Sequence, residues 1–265
     1  MMKRMAFLLT VALSLLLCTQ MTAKKRQYKK TVTLVYYDVK TLNKFMDNSG
    51  PLVAEILTLS GADYMALVAL DSCNTRNNTF QLKDLADLLG ADQYHYAPCF
   101  PYKGGSYGNG VILKNPIIKK DIIRLPAFSG HELRSVAVIE TEDCIVASTQ
   151  LSPDAAGAKQ AEVINNWFME HYAGCGKPVF LCGHMGALPD SETIGVLMKR
   201  WRMLSNVDIP NYPAKNADRC FGYILALKKG AKVKVMDATV LRSNANKTNF
   251  KKASDHLPVS VTVSF

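Results

Sequence analysis

The chain has 265 residues, 48% hydrophobic and 20% charged, with a formal net charge of +10. Beyond residue 17 no apolar run is long enough to cross a bilayer, and no internal repeat or low-complexity tract is present, which excludes polytopic membrane and repeat architectures. The basic surplus suits polyanionic ligands, but it is equally a generic route to solubility.

Lys3-Arg4 and the apolar run 5–17 read as a signal peptide cleaved after Ala23, with Leu17 arguing against a lipid anchor on Cys18. Residues 24–30 are a basic linker, and 31–265 are read as one domain of an exported protein: periplasmic, cell-surface or secreted. Removing the leader leaves 242 residues and a charge of +8. Six cysteines then remain, which permit disulfides in an oxidising compartment. Several lie in apolar runs and read equally well as buried thiols.

Residues 31–39 (TVTLVYYDV) form a β-branched, aromatic strand ending near Asp38. Asn48-Ser49-Gly50-Pro51 starts a helix with Leu52, Ile56 and Leu59 on one face. A second strand, 63–70, ends at Asp71. Thr79 caps a helix that turns Leu82, Leu85 and Leu88 inward, and Gly90 closes it. Residues 94–98 are extended, 104–108 form a loop, and strands come next at 109–113, 122–125, 134–140 and 144–151. Ser152-Pro153-Asp154 opens a long helix to about Tyr172, burying Ala161, Ile164, Phe168 and Tyr172. The apolar run 178–182 is a strand buried on both faces, breaking into Gly183-His184-Met185-Gly186. Ile194, Leu197, Met198 and Trp201 mark one more amphipathic helix, and strands 221–227, 232–241 and 257–265 complete the chain. Strands outnumber helices without βαβ alternation, which predicts sheets packed face to face with helices outside.

Polar residues recur at strand ends: Asp38, Asp71, Gln150, His184, and the pair Asp255-His256 before the last strand. Singly, each has a plain structural reading as a turn carboxylate, a loop side chain or a cap. Their joint spacing does not.

The chain resembles the endonuclease/exonuclease/phosphatase family over nearly its whole mature length. The resemblance rests on the first strand, LVALDSCNTR, YGNGVILKNPI, RSVAVIE, IVASTQLS, PVFLCGHMGALPDS, RCFGYILAL and, most specifically, SDHLPV. It implies an α/β fold, a four-layer α-β-β-α sandwich of two mixed sheets, with a polar cleft at one end. It also implies metal-dependent phosphoester hydrolysis. The family's first Asn is matched by Asp38, its metal-binding Glu by Asp71, and its phosphate-binding His by Gln150. The Asp and Asn of its GDxN motif are matched by His184 and Gly186, and a further Asp by Gly222. The terminal Asp255-His256 pair is intact, with His256 donating to phosphate.

Three readings are open. In the first, the fold persists while the acid–base machinery is dismantled, leaving a pseudoenzyme whose cleft binds a phosphate-containing small molecule, a lipid headgroup or nucleic acid. In the second, Asp38, Asp71, His184, Asp255 and His256 compose a rearranged metal centre. It would take Mg²⁺ or Mn²⁺, or a softer transition metal given the imidazoles, with His184 as substitute base. In the third, the sandwich is a rigid body for a protein partner met by loops 100–107 and 211–218.

Overall fold

The computed structural model describes residues 30–242 and 249–265; the leader, Cys18, most of the basic linker and Lys247 lie outside them. The run TVTLVYYD is apolar on both faces and forms an interior strand, β1 (Thr31–Asp38). Helix α1 (Gly50–Leu59) carries the chain over to β2 (Tyr64–Ser72), which pairs with β1 in parallel, an arrangement that needs such a crossover. Helix α2 (Gln81–Leu88) leads into the antiparallel hairpin of β3 (Gln93–Tyr102) and β4 (Gly105–Leu113). With β11 (Lys234–Val240) and β12 (Val259–Ser264) these strands make a six-stranded mixed sheet in the order β11-β12-β1-β2-β4-β3.

The second sheet repeats the device. Strands β7 (Ile145–Gln150) and β8 (Val179–His184) are parallel neighbours joined by the long helix α3 (Asp154–Tyr172). Strands β5 (Lys119–Arg124), β6 (Ser135–Glu140), β9 (Trp201–Met203) and β10 (Gly222–Leu227) complete the order β5-β6-β7-β8-β10-β9. Helix α4 (Glu192–Met198) packs beside α3, and the short α5 (Phe250–Ala253) beside α1. The sheets face one another through β1 and β2 against β7, β8 and β10. The result is the expected sandwich, with modest helix content.

Several local expectations shift. The buried stripe of α1 is Val53, Ile56 and Leu57, and that of α2 is Leu82, Leu85 and Ala86. Leu59 and Leu88, although three residues after Ile56 and Leu85, lie in the last turns of their helices and are exposed. Trp201 is not helical. It opens β9, fully buried, and its indole donates to Asn165 Oδ1 of α3 at 3.0 Å. The 104–108 segment expected as a loop is mostly strand, because β4 begins at Gly105. All six cysteines after the leader are free thiols, and Cys99, Cys144, Cys182 and Cys220 are buried.

The sheet that holds β1 has a distinctive detail at each end. A bulge in β2 between Leu67 and Leu70 places Ala69 at φ 63°, a left-handed backbone unusual for a residue with a side chain. At the opposite end, Lys30 and Phe265 exchange two backbone hydrogen bonds at 3.0 Å, so the ends of the domain lie side by side.

Candidate functional site

Parallel pairing aligns the carboxyl ends of β1 and β2, and separately those of β7 and β8, which is where sheets of this kind present functional side chains. The antiparallel partners β10 and β12 bring Gly222 and the 255–256 pair to the same end. Asp38 ends β1 and is fully buried. Its Oδ1 accepts the Lys40 backbone N–H at 3.2 Å, and its Oδ2 lies 3.1 Å from the Lys40 ammonium as an ion pair. Lys40 also faces Asp255 at 3.8 Å. Asp255 Oδ1 accepts from His256 Nδ1 at 2.7 Å, orienting the ring and leaving Nε2 buried without a hydrogen-bonding protein partner. The Ser254 hydroxyl donates to the Asp38 carbonyl at 2.7 Å and ties this segment to β1.

Burial works to raise the pKa of Asp38, but His256, Lys40 and His184 outweigh it and hold the carboxyl below its usual range. Asp255 behaves alike: burial opposes ionisation, and the His256 hydrogen bond and the Lys40 charge prevail.

The Asp71 corner is different. The Arg76 guanidinium grips the carboxylate with both arms, Nε to Oδ2 at 2.8 Å and Nη2 to Oδ1 at 2.7 Å. Asn77 adds a third donor at 2.6 Å, and the Asp71 backbone N–H is taken by Gln81 Oε1 at 2.7 Å. Asn74 Oδ1 caps the Arg76 and Asn77 backbone N–H groups at 3.0 and 2.9 Å, fixing the turn that carries both donors. These hydrogen bonds overcome the desolvation of Asp71 and depress its pKa. The carboxylate expected to hold a metal is thus fully engaged by side chains.

His184 ends β8, paired with Gln150 on one side and Gly222 on the other. Its Nδ1 accepts the Gly186 backbone N–H at 3.1 Å, so the neutral ring carries its proton on Nε2. His184 is half-buried. Burial, against the pull of Asp38, drives its pKa down to about 3. Its one free lone pair is thus committed to Gly186, and burial disfavours the protonated ring. Gln150 Oε1 accepts from the Tyr107 hydroxyl at 3.2 Å. Gly186 sits at φ +62°, a left-handed backbone that glycine adopts without strain. At Gly222 an added Cβ would lie 2.1 Å from the Tyr36 ring, so an aromatic side chain from β1 occupies the space where the family places an Asp.

Beside this centre, joined to it through Lys40 and Tyr107, opens a cleft of about 620 Å³, lined by Lys40, Lys44, Arg76, Tyr102, Tyr107 and Glu132 among others. Arg76 lies over the Tyr102 ring at 4.5 Å, and Phe100 stacks on Tyr107 at 5.2 Å. The 100–107 segment is therefore an aromatic cleft wall. From the 211–218 segment, Tyr212 covers His256 with ring centres 4.5 Å apart. Sequence reasoning misses the cations Lys40, Lys44, Arg76 and the buried Arg134. Lys40 and Arg76 come within five residues of a strand-end carboxylate, a usable signal.

Asp38, His184 and His256 each offer one ligand atom, all within 4.8 Å of one another. Asp71 is not part of that group. No helix among the described residues is long and apolar enough to cross a membrane.

No family model matches the sequence, and no curated protein does. Solved structures do match. An endonuclease/exonuclease/phosphatase of Beutenbergia cavernae superposes with a TM-score of 0.72 at 16% identity, over 89% of this chain and 72% of that one. A mannosyl-6-phosphatase of Bacteroides thetaiotaomicron gives 0.69 at 14% identity, over 88% of this chain and 100% of its own. The human nocturnin catalytic domain with bound sulfate gives 0.66 at 17% identity, over 89% and 93%. At such identities a likeness speaks for architecture, and the architecture is unambiguous: this chain has the fold of the endonuclease/exonuclease/phosphatase family.

Proposed function

We propose that this protein is an exported phosphate-ligand-binding form of the fold in which metal-assisted hydrolysis has been lost. The observation that carries the reading is Asp71, whose two oxygens are both occupied by Arg76 and Asn77. A guanidinium stands where the resemblance implies a divalent cation. The remaining donor set fits Mg²⁺ or Mn²⁺ poorly. Mg²⁺ wants an oxygen-rich octahedron, whereas Asp38, His184 and His256 offer two nitrogens and one carboxylate. The Lys40 ammonium competes for that carboxylate, and His184 presents a protonated Nε2, which has no lone pair for a metal.

Water activation is equally poorly served. The free lone pair of His184 is committed to Gly186, and the Asp of the GDxN motif is absent. What survives is recognition. Lys40, Lys44 and Arg76 present fixed positive charge to an open cleft, and the Asp255–His256 pair holds an imidazole in one orientation. Two neighbours in fold support an oxyanion ligand: one is a phosphatase named for mannosyl 6-phosphate, the other was observed with sulfate.

The nitrogen-rich trio also favours one alternative, a hydrolase using a transition metal. Hydrolysis of a phosphodiester and a phosphomonoester with Mg²⁺, Mn²⁺ and Zn²⁺ in turn, beside a His256→Ala control, separates the two. Background rates in both proteins are expected. Metal-dependent turnover that vanishes in the variant would overturn the reading.

A further inference from the structure

The side chain of Arg134, just ahead of β6, is only 9% exposed. Among the described residues no protein atom accepts a hydrogen bond from its Nε or Nη1. Glu132 Oε2 lies 3.0 Å from Nη1, but as an unaligned ion pair, and Glu132 is itself 57% exposed. A buried guanidinium with unmet N–H groups is costly to the fold, because neither water nor protein replaces the hydration it has lost. Glu132 lines the cleft and Arg134 does not, so the guanidinium lies directly behind that rim carboxylate.

We propose that Arg134 is the principal oxyanion-binding residue of this cleft, and that with Lys40 and Arg76 it holds a phosphomonoester without any divalent cation. The inference rests on the phosphate-binding reading and adds the residue, the ligand class and the independence from metal. The planar fork of a guanidinium matches two phosphate oxygens, and the partly exposed Arg76 and Lys40 approach from the cleft side. Glu132, held at the rim by that one ion pair, is the group a bound oxyanion displaces. The wall of Tyr102, Tyr107 and Phe100 suits a ring attached to the phosphate better than a bare ion.

The test uses the full chain in excess EDTA, with inorganic phosphate and phenyl phosphate as probes of thermal melting and of affinity. Both should raise the melting temperature, phenyl phosphate more. Arg134→Met should weaken phosphate at least tenfold, a loss of about 1.4 kcal/mol. Arg134→Lys keeps the charge but not the fork, and should lose roughly three- to tenfold. Glu132→Gln should bind several-fold tighter. Because the guanidinium is unsatisfied, Arg134→Met should melt no lower than wild type when ligand-free, which a purely structural arginine would not allow. Protection that requires added metal, survives intact in Arg134→Met, or is absent with both probes would overturn the proposal. Metal-dependent turnover would instead sink the loss of hydrolysis, so the two failures are distinct.

Discussion

Asp38 and Asp71 end neighbouring parallel strands, and both are wholly buried, yet their surroundings are opposites. Asp71 sits in a completed corner, its oxygens matched by donors from the 76–77 turn and its backbone N–H by Gln81 of α2. Elsewhere, among the described residues, buried polar atoms are left without hydrogen-bonding protein partners: Asp38 Oδ2, His256 Nε2, and the Nε and Nη1 of Arg134. A satisfied polar cluster rigidifies a fold, whereas unmet buried groups mark places where the protein keeps a cost that a ligand can relieve. The contrast puts the unmet polar groups at Asp38, His256 and Arg134, while Arg76 both completes the Asp71 corner and faces the cleft.

The strongest way to break that contrast is to restore the missing acid. Gly222→Asp would push a carboxylate into the Tyr36 ring, and we expect a loss of more than about 3 kcal/mol in denaturant unfolding. A well-folded variant that gains metal-dependent hydrolysis would show the centre to be more adaptable than its packing implies. Next in size, Asp71→Asn should cost about 2–3 kcal/mol by breaking the charged hydrogen bonds from Arg76 and Asn77. Asp38→Asn should cost less than Asp71→Asn, since Oδ2 makes no aligned side-chain hydrogen bond and the Lys40 ammonium left behind is partly exposed to water. Equal costs at the two positions would erase the distinction between them.

The effect that is smallest near neutral pH, and grows with acidity, is that of protonation. The folded pKa of His184, about 3, lies below the unfolded value of ~6.5, so between these values the unfolded chain binds a proton that the native chain does not. Stability is therefore fully present above pH ~6.5 and falls as pH drops, by at most ~1.4 kcal/mol per unit. His184→Gln should flatten that slope. His95, also lowered by burial, contributes in the same direction and is common to both proteins. An unchanged slope would mean that His184 is freely protonated in the native state.

Much of the fold is readable in the sequence because its strands are apolar runs of consistent period and its long helix repeats every third or fourth residue. Ala161, Ile164, Phe168 and Tyr172 are buried as the spacing requires. Trp201 is misplaced by such reasoning because a three-residue strand has no period of its own, and its neighbours continue a helical pattern. At the site, the sequence discloses which family positions have changed but not what fills them. That Arg76 closes on Asp71, or that Tyr36 takes the volume beside Gly222, depends on contacts between side chains that spacing does not reveal. Arg134 is hidden for the same reason: an arginine before a strand looks like any surface cation until its neighbours are known.

The pairing of Lys30 with Phe265 has a consequence for how the molecule can be displayed. Strand β1 runs from that seam to the cleft, its eight residues spanning roughly 25 Å. Both ends of the domain therefore leave from the pole opposite the cleft. Anything joined to either end, whether a tether to a surface or a fused carrier, turns the cleft outward toward its ligand. Immobilising the protein by either terminus should then leave the cleft as open as it is in solution.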